Sequence, residues 1–169
     1  AEIFSMMFQV AAMVGQGARA AELMDAMQVR LQVIQTAAAS LPRRPRVFFE
    51  EWDEPHISAI RWVSELVRMA GGDDCFPELA LQPMGKDRIV ADTAEIVRRN
   101  PDIIIGSWCG KKFRPEKVAA RAGWENVNAV KYAQIFEIKS CDILQPGPAA
   151  LTDGVEQLHR IIMDWSGQQ

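Results

Sequence analysis

Three short segments of this chain combine residue types that bind or react. They are Glu51-Trp52-Asp53-Glu54-Pro55-His56, Ser107-Trp108-Cys109-Gly110-Lys111-Lys112 and Ser140-Cys141-Asp142-Ile143-Leu144-Gln145-Pro146-Gly147-Pro148. Two of them carry a tryptophan. An indole pair at one mouth suits a broad, flat, partly apolar ligand. Asp53, Glu54, His56 and Cys109 are all metal-ligand types, but their spacing matches no known ligand pattern. Cys109 as a nucleophile needs a base and an orienting group; His56 and Asp142 are conceivable partners, though their order in the chain does not show it. Lys111, Lys112 and Arg114 form a basic run that holds an anion or simply faces water.

The elements around these segments read as alternating strands and helices. Arg46–Glu50 has the composition of a strand, Asp102–Gly106 is a β-branched run suited to burial on both faces, and residues 133–138 form a third strand. Helices are expected over 57–70, 93–99, 115–120 and 149–165. Asp92 and Glu95 read as a capping box, and Gly71-Gly72 as a helix stop. Trp62, Trp124 and Trp165 fall in helical or connecting contexts and read as packing, and His159 as a surface residue. The fold class is therefore α/β: a Rossmann-like lobe with a mainly parallel sheet flanked by helices. In such a sheet, ligands lie beyond the carboxyl ends of the strands, where the three segments fall.

Before the lobe comes a helical part. Residues 3–14 are apolar without a decisive period, so helix and buried strand both fit. From 18 to 41, Ala20, Leu23, Met27, Leu31, Ile34, Ala38 and Leu41 form one stripe of a long helix, roughly 35 Å at ~1.5 Å per residue. Pro42 and Pro45 close it. The expected division is 1–44, helical, and 45–169, the α/β lobe. Gly15-x-Gly17-x-x-Ala20 mimics a dinucleotide loop, but no acid stands near position 35 and no βαβ unit surrounds it. A turn between helices is the better reading.

The 169 residues carry 22 acidic and 19 basic side chains, a net charge of −3. That balance disfavours nucleic acid as the main partner. No stretch approaches the ~20 apolar residues of a membrane span. The three cysteines, Cys75, Cys109 and Cys141, cannot all pair and are expected to be free thiols. Ala1 is not an initiator and Glu2 does not suit a signal peptide, so the chain is expected to begin inside a longer protein.

Residues 45–52 (Pro-Arg-Val-Phe-Phe-Glu-Glu-Trp), 71–76 (Gly-Gly-Asp-Asp-Cys-Phe), 99–105 (Arg-Asn-Pro-Asp-Ile-Ile-Ile) and 145–148 (Gln-Pro-Gly-Pro) together resemble the C-terminal half of cobalamin-binding-protein relatives. These are the periplasmic binding proteins with a single connecting helix that serve vitamin B12, haem and ferric siderophores. The helix 18–41 is similar to their inter-lobe backbone helix.

The resemblance implies a substrate-binding component of an ABC importer rather than an enzyme. It implies a periplasmic or cell-envelope home, half of a cleft for a corrinoid, haem or ferric-siderophore ligand, and a permease as partner. It implies no cofactor and no resident metal. Expected ligand contacts are Glu51, Trp52, Trp108, Cys109, Ile143 and Gln145. Gln145 stands where the B12 receptor uses an Arg, and Glu65 is the nearest match to the family's docking acid. The alternatives are a small α/β enzyme with a reactive Cys109 or a nucleotide site, a cytoplasmic location, and self-association through apolar surface bared by the absence of a first lobe.

Overall fold

The computed structural model describes residues 2–167. The apolar N-terminal run is a helix, α1 (Glu2–Met13), and Gly15 (φ +70°) turns the chain into α2 (Gly17–Ala39). Ala20, Met27, Leu31, Ile34 and Ala38 are buried along one stripe of α2, as the spacing requires. Leu23 departs from that stripe and is exposed.

The sheet is built around β1 (Arg46–Asp53). The chain turns through cis Glu54-Pro55 into β2 (His56–Ser58), antiparallel to β1, and then enters α3 (Arg61–Ala70). Residues 57–60, expected as helix, are thus strand and connection. Ile57 pairs with Trp52, and Ile60 keeps an extended conformation at the helix start. Gly71 ends α3 with φ +108°, a left-handed cap that favours glycine.

A two-residue strand not legible in the sequence, β3 (Asp73–Asp74), pairs in parallel with the start of β1. Two 3₁₀ turns, Leu79–Leu81 and Gly85–Arg88, lead to α4 (Thr93–Arg99). Asp92 caps α4 by accepting from Ala94 N–H at 2.9 Å. The Glu95 side chain pairs with Arg98 and Arg99, so the expected capping box is only half formed.

The chain continues through β4 (Ile103–Gly106), α5 (Pro115–Ala119), α6 (Asn128–Lys131), β5 (Ile135–Glu137) and α7 (Ser140–Ile143). It ends in a π-helical turn (Ala150–Gly154) and α8 (Val155–Ser166). The strand order is β2-β1-β4-β5, with β3 also on β1, and every pairing but β1–β2 is parallel. The α/β expectation is met.

Both faces of β1 are covered, which explains its unbroken apolar run. Val47 and Phe49 join α2, α3 and α8 in one core. Phe48 joins Phe76, Ile96, Ile104, Trp108 and Trp124 in the other. α1 packs on α2, and α2 on α3 and α8, so the helical part is bound to the lobe. His159, expected at the surface, is partly buried and donates from Nδ1 to the Ala70 carbonyl at 3.0 Å. None of the described helices is long and apolar enough to cross a membrane.

Candidate functional site

Parallel pairing of β1 with β4 brings the segments after both strands to one end of the sheet. There a cavity of about 530 Å³ opens, lined by Asp53, Glu54, His56, Trp108, Lys111, Arg121 and Trp124 among others. Its walls come from the β1–β2 turn, the segment after β4, and the stretch following α5.

Behind this wall sits Glu50, expected as the last residue of the strand Arg46–Glu50 and found inside β1. It is 0% exposed. Its Oε1 accepts from His56 Nδ1 at 2.8 Å and from Arg121 Nη1 at 2.8 Å. Its Oε2 accepts from Arg121 Nη2 at 3.0 Å and Trp108 Nε1 at 3.2 Å. A buried carboxylate is costly unless paired and hydrogen-bonded, and four donors meet that need. The sequence does carry a signal for it: an acid directly after Val-Phe-Phe in a strand covered on both sides.

Trp52 and Trp108 occupy the same end of the sheet. Trp52 is half-buried and donates to the Glu54 carbonyl at 3.0 Å. Trp108 is 5% exposed, its ring edge-to-face with Phe113 at 4.8 Å. Lys111 Nζ lies 5.6 Å from the Trp52 ring centre and 5.3 Å from that of Trp108. The same ammonium pairs with Asp53 at 2.6 Å. This ties the end of β1 to the segment after β4 by a cation–π contact on both sides and an ion pair.

The other expected contacts divide. Glu51 is the extra residue where the β1–β2 register shifts, and its carboxylate pairs with the buried Arg88, which also donates to the Ser58 carbonyl. Glu51 is therefore held in an internal ion pair. Ile143 is 0% exposed and packs in the core, because α7 turns its side chain inward where a loop was expected. It is not on the cavity wall. Cys109 and Gln145 are exposed on the segments after β4 and β5. Glu65 is exposed on α3 and pairs with Arg61 at 3.1 Å.

Trp124, expected as packing, is buried but also borders the cavity, with the Arg121 guanidinium 4.7 Å from its ring centre. The partners conceivable for Cys109 are engaged elsewhere. His56 is held by Glu50, and Asp142 accepts from Gln157 at 3.1 Å. Cys75 is buried and its thiol is pushed up to about 12 by loss of solvent. Among the described residues, no group of three His, Cys, Asp or Glu side chains is arranged to hold a metal ion.

The family model described as "Periplasmic binding protein" matches residues 1–141. The chain belongs to that family. A curated relative of similar sequence is the uncharacterized ABC transporter substrate-binding lipoprotein YvrC of Bacillus subtilis (strain 168). It is 26% identical over 172 residues that cover 94% of this chain and 50% of YvrC. The chain thus spans about half the length of that relative.

Among solved structures, Staphylococcus aureus IsdE complexed with heme aligns with a TM-score of 0.76 at 20% identity, covering 94% of this chain and 63% of IsdE. The vitamin B12 binding protein BtuF of Vibrio cholerae aligns at 0.65 and 22%, covering 92% and 56%. At these identities the likeness is one of fold. It places the family's α/β architecture across nearly the whole chain.

Proposed function

We propose that this chain forms one wall of the ligand cleft of an ABC importer's substrate-binding component, and that the ligand is a large metal chelate: a corrinoid, haem or ferric siderophore. The observation that carries this reading is the Trp52–Lys111–Trp108 arrangement, which joins the end of β1 to the segment after β4 beside an open cavity. Indole faces and a cation next to one another suit a flat ring system with polar or anionic side arms. The names of the relatives point the same way, one bound to heme and one a B12 binder.

On this reading Trp52, Trp108 and Cys109 border the ligand, Gln145 meets it from the segment after β5, and Glu65 on α3 faces a membrane permease. The protein works in the cell envelope, as the word lipoprotein in the name of the Bacillus relative suggests. Tryptophan fluorescence titrations with hemin, cyanocobalamin and a ferric hydroxamate test the reading. Saturable quenching by one of them at micromolar concentration is expected. No quenching by any of the three contradicts it.

A further inference from the structure

Helix α1 is apolar on almost every side, yet no residue in it is buried. Its polar residues, Glu2, Ser5 and Gln9, fall in steps of three and four on a single stripe. A helix of that composition belongs inside an assembly. α2 covers one side of it, and Met6, Val10 and Met13 stay exposed, Met13 at 79%. Two apolar hollows lie beside this row. One, of about 590 Å³, is lined by Met6, Trp62, Met69 and Pro146 among others. The other, of about 350 Å³, is lined by Met6, Val10, Val14, Leu23 and Pro148 among others. They share Met6 and so form one trough along α1, roughly 18 Å long at ~1.5 Å per residue. The trough has no lining residue in common with the strand-end cavity.

The ends of the trough carry opposite charges. Glu2 lines the first hollow and Arg19 the second. Among the described residues neither has an ion-pair partner, whereas Arg61 and Glu65, also at the first end, pair with each other. The occupant that fits is a helix antiparallel to α1, with an acid at its N-terminus and apolar side chains at i, i+4 and i+7. α1 itself meets that description, with Glu2 at one end and the row Met6, Val10, Met13 along its side. An anionic membrane surface fits less well, since it calls for Lys or Arg on the helix and α1 has neither. We propose that the trough receives α1 of a second copy of this chain. A two-fold axis then sets the helices antiparallel, buries both Met6–Val10–Met13 rows and places Glu2 of each copy beside the partner's Arg19.

The test is light scattering behind size-exclusion chromatography on the 169-residue chain, up to about 100 µM. A mass of twice the chain's 18.9 kDa is expected. Met13→Glu puts a carboxylate into the apolar contact and weakens association about 10-fold or more. Phe8→Glu is the control. Phe8 is 51% exposed but lies about 200° around the helix from Met6, so its substitution leaves the dimer unchanged. Glu2→Arg and Arg19→Glu each weaken association several-fold, and the double variant regains it, which a loss of folding would not permit.

A monomer at about 100 µM overturns the proposal. So does a dimer that Met13→Glu and both charge reversals leave intact, since its interface lies elsewhere. A monomer that co-sediments with phosphatidylglycerol vesicles overturns it in favour of a membrane. A mass that climbs past the dimer with concentration overturns the closed two-fold arrangement.

Discussion

Glu50 and Arg121 form a two-pronged pair: each carboxylate oxygen of Glu50 accepts from one terminal nitrogen of Arg121, at 2.8 and 3.0 Å. Glu50 has no exposure, and the Arg121 side chain retains 17%. Removing one partner of such a pair leaves an uncompensated buried charge, a loss that greatly exceeds that of a surface ion pair. Arg121→Ala is therefore expected to lower stability by about 3 kcal/mol. Arg61→Ala, which breaks the exposed Arg61–Glu65 pair, is expected to cost under about 1 kcal/mol. Urea unfolding of both variants checks the contrast, and equal losses would deny Glu50 its organising role.

Gly106 is the last residue of β4, and a Cβ there would lie 1.9 Å from the Phe113 ring. Phe113 in turn packs edge-to-face on Trp108. Gly106→Ala is expected to push Phe113 off Trp108, with a loss of about 1–3 kcal/mol or more. A changed tryptophan emission maximum should accompany it. Unaltered emission and stability would show that the strand end does not set the indole's position.

How much of this is legible in sequence follows from what each signal depends on. Apolar spacing depends only on the chain itself, so α2 and the runs of β1 and β4 are readable. The strand-end rule places Trp52 and Trp108 at one end of the sheet. Residues 57–60 look helical in sequence because Ile57, Ile60 and Val63 keep a helical spacing; pairing of β2 with β1, a contact with another segment, overrides it. Ile143 looks like a cavity residue because its segment has the composition of a loop, and α7 turns it into the core. Glu51, beside Trp52, stands out in sequence more than Glu50 does. The choice between these neighbouring acids depends on which face meets Arg121 and which meets Arg88, and both arginines lie more than 35 residues away.

Stability should fall in acid through Asp102. Burial alone raises its carboxyl, but hydrogen bonds from Arg46 and Asn128 outweigh that and hold it below the usual range. A carboxyl lowered on folding contributes stability above its unfolded value, near ~3.9, and loses it as pH falls through the folded value. Asp102→Asn is expected to be less stable than wild type at pH 6 and to show a flatter decline below about pH 4. Asp74 has the opposite sign, since loss of solvent raises its carboxyl. Its contribution is present below the unfolded value and lost as pH rises through the folded one. Denaturant melts from pH 2 to 7 check both, and parallel curves for wild type and Asp102→Asn would contradict the first.

The thiols should separate by exposure. Cys109 and Cys141 are exposed, whereas Cys75 is buried with its thiol pushed up to about 12. Since the thiolate is the reacting form, a thiol reagent at pH 8 should label Cys109 and Cys141 and reach Cys75 only on unfolding. Peptide mapping after timed labelling reads this directly. Early labelling of Cys75 would mean that the core around Phe48 and Phe76 opens readily.

The most direct measurement of the central claim is hydrogen–deuterium exchange with and without hemin or aquacobalamin. Slowed exchange is expected in residues 50–58, 107–113 and 117–124, the three stretches that meet at the cavity. Protection confined to α1 and α3, or none at saturating ligand, would contradict the placement of the ligand at the strand ends.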